Sequence, residues 1–238
     1  MTAAAASTSL TPVAPATAGP VVPPRVAPPA RFQNGAEWMQ ALGNVPIERV
    51  VFDPWPGTAT EADLLRLVER DKRLCELIDG TLVEKPVGYW ESRIAVRLAA
   101  FLLAFVESRD LGAVLGPDAT LRMSASDRIR LPDVSFISKA REPTGPQPVP
   151  TIAPDLAVEV LSESNTRAEM AQKLREYFGS GTRLAWYVDP VARTVAVYHR
   201  AGEPTATLGE SDVLDGDVVL PGFTLPVAKL FANIPPLG

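Results

Sequence analysis

The chain has 238 residues, 46% of them hydrophobic, with 23 basic against 28 acidic side chains, a net charge of −5 and a pI near 5.1. That is enough apolar material for one ordinary domain with its own core, and the acidic balance excludes a protein that coats nucleic acid by charge alone. An enzyme needing only a local basic groove is still allowed. The single cysteine, Cys75, excludes an internal disulfide and a cysteine-built zinc site. It lies in the apolar stretch RLCELIDG and reads as a small core residue, and a reducing, cytoplasmic setting is expected. No apolar run approaches the roughly 20 residues that span a bilayer, so no membrane partner is expected.

Residues 1–31 are rich in alanine and proline. No basic residue precedes Arg25, and prolines interrupt every apolar run, which does not suit a secretory signal. The segment reads as a disordered tail of polyproline character, taken to run to residue 35, with the folded domain at residues 36–238. A proline-rich ligand for an unidentified partner is the other reading of the tail. Arg25 and Arg31 are its only charges, which leaves 21 basic and 28 acidic side chains after residue 31, net −7.

Residues 36–57 read as an irregular lead-in that ends in the turn-rich DPWPG. TATEADLLRLVERDKR predicts a helix with a threonine cap and acids in its first turn. In CELIDGTLVEK two short alternating runs flank Asp79-Gly80, which predicts a hairpin. A long helix is expected from Tyr89 to Ser108, its core face drawn from Ile94, Leu98, Phe101, Leu102 and Phe105 at helical spacing. Short strands follow at AVLG, ATLRM and DVSFI, then a proline-rich loop over residues 141–154.

PDLAVEVLSES carries the next strand. Leu156, Val158 and Val160 share one face, Ala157 and Leu161 the other, and Glu159 sits among them. A buried unpaired carboxylate costs several kcal/mol, roughly, so Glu159 must be paired, protonated or bound to a metal. Thr166-x-x-Glu169 predicts a capping box for a helix to Phe178. RLAWYVDP and RTVAVYHR predict two strands around an Asp-Pro turn, and DVVLPGFTLPVAKLF a strand, a turn and a short closing helix. The fold class is therefore α/β, a mixed central sheet flanked by helices.

Magnesium chemistry needs hard oxygen ligands on rigid elements. Two acids in or beside apolar strands qualify: Asp133, which opens DVSFI after Pro132, and Glu159. Asp118 and Asp155 also follow prolines and are secondary candidates, although turn and strand-entry roles explain them as well; Asp155 is expected to share a strand face with Glu159. Lys173 and Tyr177 fall one turn apart on one helix face.

The ordered set LPDVSFI, APDLAVEVLSESNT, a helix with Lys173 and Tyr177, WYVDP and VAVY resembles the Uma family of putative restriction endonucleases, within the PD-(D/E)xK nuclease superfamily. The resemblance runs from about Thr58 to Phe231 and includes PWPGTATEADLL and EKPVGYWES. It implies a restriction-endonuclease-like fold and a metal-dependent endonuclease of DNA that leaves a 5′-phosphate and a 3′-hydroxyl. It implies Mg²⁺, with Mn²⁺ as a substitute, held by Asp133, Glu159 and the Val160 carbonyl. Leu161 stands two residues after Glu159, where the simple pattern has lysine; the resemblance places the lysine on the next helix, at Lys173. Glu91 in GYWESRIA is the remaining acid it implies.

Arg167, Arg175 and Arg183 flank that helix in sequence and are candidates for contact with a nucleic-acid backbone. Paired cuts would call for a homodimer. The bland readings are a buried Glu159–Lys173 ion pair, a turn cap at Asp133 and a dipole-stabilised first-turn acid at Glu91. Ser162 and Ser164 read as loop residues, His199 as exposed, and Trp186 and Tyr187 as core. The rival functional reading is a non-catalytic nucleic-acid-binding or regulatory module built on a nuclease fold.

Overall fold

The computed structural model of the chain describes residues 32–86 and 88–237. Residues 1–31 of the expected tail lie outside the described residues; residues 32–35, assigned to it as well, are described and lead into the first helix. The lead-in is more regular than its sequence suggests. Asn34 caps a short helix, α1 (Gly35–Ala41), by accepting the Glu37 N–H at 3.0 Å, and a 3₁₀ turn at Ile47–Arg49 delivers the chain to β1 (Val50–Val51). Neither element is long enough to show a period, and tertiary pairing makes both.

Thr60 and Asp63 form a reciprocal capping box that starts α2 (Glu61–Arg66). The expected continuation to Arg73 instead widens into a π-helical turn over Leu67–Asp71 and ends where Lys72 turns left-handed at φ 54°. The hairpin of β2 (Cys75–Ile78) and β3 (Thr81–Glu84) turns on Asp79 and Gly80, both at positive φ, as a two-residue hairpin loop requires. The long helix is α3 (Tyr89–Glu107), with Ile94, Ala95, Leu98, Leu102 and Val106 buried, while Phe101 and Phe105, expected on the core face, pack half-buried at its edge.

Next come β4 (Gly112–Leu115), β5 (Leu121–Arg122) and β6 (Ile129–Arg130), the last not anticipated because it is two residues long. Then follow β7 (Val134–Ser138), β8 (Leu156–Val160), α4 (Arg167–Gly179), β9 (Leu184–Asp189) and β10 (Thr194–Tyr198). The chain closes with β11 (Ala206–Leu208), β12 (Val213–Asp215), β13 (Thr224–Pro226) and α5 (Ala228–Phe231). The strand expected at DVVL is a turn. The flanking β12 and β13 pair with each other instead.

The fold is α/β as expected: a six-stranded mixed sheet, β11-β10-β9-β8-β7-β4, is flanked by helices, and a five-stranded sheet, β1-β3-β2-β6-β5, and the ribbon β12-β13 accompany it. In the six-stranded sheet β8 runs antiparallel to β7 and parallel to β9. Its even residues Leu156, Val158 and Val160 join α3 in one core cluster, and Ala157 packs with Met170, Leu174 and Tyr177 of α4 in another. The period-2 alternation of β8 thus turns Glu159 toward α4.

Gly112 opens β4 at φ 146°, and a Cβ there would lie 2.1 Å from the Ile137 carbonyl oxygen. Gly112→Ala should therefore destabilise the fold by about 1–3 kcal/mol through backbone displacement. Thermal unfolding would show a lower melting temperature; an unchanged one would mean that the β4–β7 pairing yields freely.

Candidate active site

Strands of both larger sheets, with α3 and α4, bring charged side chains to one place. Extending the register Val134↔Val158 by one residue puts Asp133 level with Glu159 on the neighbouring strand, and directly opposed residues have Cβ atoms about 5 Å apart. Asp133 is pinned there. Its N–H donates to the Val158 carbonyl at 3.0 Å, and its Oδ2 accepts the Val160 N–H at 2.7 Å. Its other oxygen, Oδ1, takes the Lys85 ammonium at 2.8 Å.

Glu159 is buried, with 4% of its surface exposed. Lys173 Nζ lies 3.1 Å from both of its carboxylate oxygens, and the Tyr177 hydroxyl donates to Oε1 at 2.5 Å. Lys173 and Tyr177 meet it together because they are four residues apart on α4. Lys173 has a second anion, Glu76 of β2, at 3.0 Å. Behind it, Arg130 donates to Glu76 at 2.6 Å and to Glu176 at 2.6 and 3.0 Å.

These contacts set the titration of the group. Burial alone would lower the Lys173 pKa, but Glu159, Glu76 and Glu169 outweigh it and raise it above the usual lysine range. Burial drives the Glu159 carboxyl up; Lys173 opposes this, Asp133 adds to it, and the net shift is upward. Burial of Glu159 thus disfavours its charged form by more than its lysine relieves.

Asp133, Glu159, Val160, Lys173, Lys85 and Glu91 line one cleft of about 470 Å³, together with Ser162, Asn165 and an uncharged strip of α3 that includes Val96 and Leu103. Glu91 stands in the first turn of α3, half-buried, and no hydrogen bond or ion pair among the described residues reaches it. Ser162 keeps its loop role, with its N–H and hydroxyl both bonded to Asn165 Oδ1.

Two secondary candidates do not join this group. Asp118 is exposed in the turn after β4; its neighbours Gly116 and Pro117 line the cleft and it does not. Asp155 precedes β8 instead of sharing a face with Glu159 within it, and four residues of strand separate them by about 13 Å. It is a buried anchor that accepts the Ser138 N–H at 2.8 Å and pairs with Arg141 at 2.8 Å and Arg183 at 3.0 Å. Arg183 is thereby occupied, and Arg167 and Arg175 are exposed on α4 outside the cleft lining. Trp186 is fully buried against Phe223, and Tyr187 donates to the Met170 carbonyl, so both are core as read.

Burial raises the Asp155 pKa, but the Ser138 N–H and Arg141 outweigh it, and the net shift is downward. A depressed carboxyl adds stability above its unfolded value and loses it as pH falls through the folded one. Asp155→Asn should lower the melting temperature at neutral pH, and the gap to the native chain should close below about pH 4. A gap that persisted at acid pH would show that shape, not charge, makes the contact.

Glu76, Lys85 and Arg130 are the functional-site residues that sequence reasoning missed. Glu76 carries the same signal as Glu159, an acid within an apolar strand, in CELI. Lys85 and Arg130 had none, since a basic residue beside a short strand is ordinarily solvated.

Oxygen donors of the hard kind suited to Mg²⁺ therefore face one cleft: two carboxylates and a strand end. Among the described residues no three acids converge into a cage. Two carboxylates, backbone oxygen, water and substrate phosphate make up the commoner Mg²⁺ shell, which this donor set fits.

The family described as "Uma2: Putative restriction endonuclease" matches residues 61–228. No curated protein matches the chain. Among solved structures, one described as "a putative nuclease belonging to DUF820 from Anabaena variabilis ATCC 29413" superposes with a TM-score of 0.62 at 22% identity, covering 71% of this chain and 96% of that one. At that identity the likeness is one of fold. No helix among the described residues is long and apolar enough to cross a membrane.

Proposed function

The chain belongs to the Uma2 family, and on that premise we propose that it is a metal-dependent endonuclease that hydrolyses phosphodiester bonds of DNA. The observation that carries the reading is the meeting of Asp133, Glu159 and Lys173, from two strands and a helix, in one cleft. Asp133, Glu159 and the Val160 carbonyl would hold Mg²⁺, or Mn²⁺ in its place. The bound ion supplies charge neutralisation of the phosphate and a water of lowered pKa.

The chain's own groups do the rest. Lys173 offers a fixed positive charge to the negative charge that develops at the phosphate, in a site where water is scarce and such a charge acts strongly. Tyr177 holds Glu159 in one rotamer through its hydroxyl, and the Val160 N–H does the same for Asp133. Glu91, half-buried in the cleft lining, would bond an attacking water or a substrate hydroxyl. In-line attack would leave a 5′-phosphate and a 3′-hydroxyl.

One observation favours the second reading, a binding or regulatory module without turnover. Both acids are already satisfied by Lys85, Lys173 and Tyr177. Calorimetric titration with Mn²⁺ separates the two. The nuclease reading expects one bound ion, with affinity reduced at least about tenfold in Asp133→Asn, since even outer-shell changes cost that much. Equal binding by both proteins, or none by either, favours the module.

A further inference from the structure

A lysine two residues beyond Glu159 would have its place set by the strand itself. Leu161 holds that slot, and the ammonium comes from α4, on a long flexible stem. Something else must fix it. Glu159 alone is a poor fixture, because under the proposed function its carboxylate is taken up by a cation.

Glu76 answers this from the opposite side. It is 1% exposed and absent from the cleft lining, so no substrate or ion approaching through the cleft competes for it. One of its oxygens meets Lys173 at 3.0 Å and the other accepts Arg130 at 2.6 Å. Arg130, itself 1% exposed, returns to α4 through Glu176, three residues beyond Lys173. The ring Lys173–Glu76–Arg130–Glu176 therefore closes on the helix that carries the lysine. It ties that helix to β2 and β6 of the other sheet, and buried charges stay only where such partners are complete.

We propose that Glu76 is the positioning residue that keeps the Lys173 ammonium at the floor of the cleft once Glu159 is engaged by the metal. The inference rests on the nuclease reading of the cleft, but its first test does not.

The test is the ¹⁵N–¹H correlation of the Lys173 ammonium in the full chain, assigned by its loss in Lys173→Met; a lysine ammonium is visible in this way when it is held and shielded from water. In Glu159→Gln, without metal, the correlation is expected to persist, because Glu76 still holds the lysine. Its loss there, with the fold intact, overturns the proposal whether or not the protein cuts DNA. Glu76→Gln is the second arm. Its Lys173 correlation should survive without metal and vanish on saturation with Mg²⁺, whereas the wild-type signal survives both. Cleavage by Glu76→Gln should lose kcat by about 10- to 100-fold, with KM and Mg²⁺ affinity unchanged and partial recovery in Glu76→Asp. A merely structural Glu76 would instead lower metal affinity along with kcat, and that result overturns the proposal. Should Glu76→Gln fail to fold, the Glu159→Gln arm decides alone.

Discussion

Lys173→Met is expected to lose at least about 100-fold in cleavage, the scale set by removing one preorganised charge or donor from a transition state. It is also expected to lose about 3–5 kcal/mol of stability, because it leaves Glu159 and Glu76 buried without their shared cation. For a chain of this size that is a fall in melting temperature of roughly 2–4 °C per kcal/mol. The two losses separate. Adding Glu159→Gln removes one stranded charge, so the double variant should regain stability and no activity. Tyr177→Phe is the milder control: it removes one donor to a charged group, worth about 1.5–3 kcal/mol, and leaves the lysine in place. A Lys173→Met protein as stable as wild type would mean that Glu159 and Glu76 are neutral without it.

Arg130→Met is expected to cost at least as much stability, about 3–5 kcal/mol or more, without touching the cleft. Arg130 satisfies Glu76 and Glu176 at once, and all three are buried. Burial pushes the Glu76 pKa up, but Lys173, Arg130 and Lys85 outweigh it and hold the carboxyl well below the usual range. A carboxyl depressed in this way contributes stability above its unfolded value, near 4.3, and loses it as pH falls through the folded one. Without Arg130 much of that contribution is gone. The melting temperatures of variant and wild type should therefore lie far apart at pH 7 and converge as the pH is taken below about 4. A gap independent of pH would assign the loss to packing of the guanidinium stem instead.

What the sequence made legible follows the length of its signals. The hairpin at Asp79-Gly80, the α3 core face, the Thr166–Glu169 box and β8 all rest on local chemistry or on a period that repeats several times, and all are present. Of the elements of two or three residues, β1, β6 and β11 carry no period and are made by pairing with other strands, so they were illegible. The division into two sheets was lost with them. At the site, Asp133, Glu159 and Lys173 were found because each stands against the grain of its surroundings or matches an ordered motif. Glu76 stood equally against the grain in CELI but belonged to no motif. Arg130, alternating with the apolar Ile129 and Leu131, reads as the outward-facing residue of a short run and gave no sign that it would be buried. Asp155 takes the strand-entry role read for it, immediately before β8, and only the face it was expected to share with Glu159 within the strand, inferred from spacing alone, is not found.

The measurement that bears most directly on this account is cleavage of plasmid and single-stranded DNA by the purified chain, with Mg²⁺, Mn²⁺ or EDTA, beside Glu159→Gln and Lys173→Met. Cutting that needs the metal and disappears in both folded variants is the result expected of a site built on Asp133, Glu159 and Lys173. Cutting that survives in the variants, or that ignores EDTA, would contradict the assignment of the reaction to this cleft.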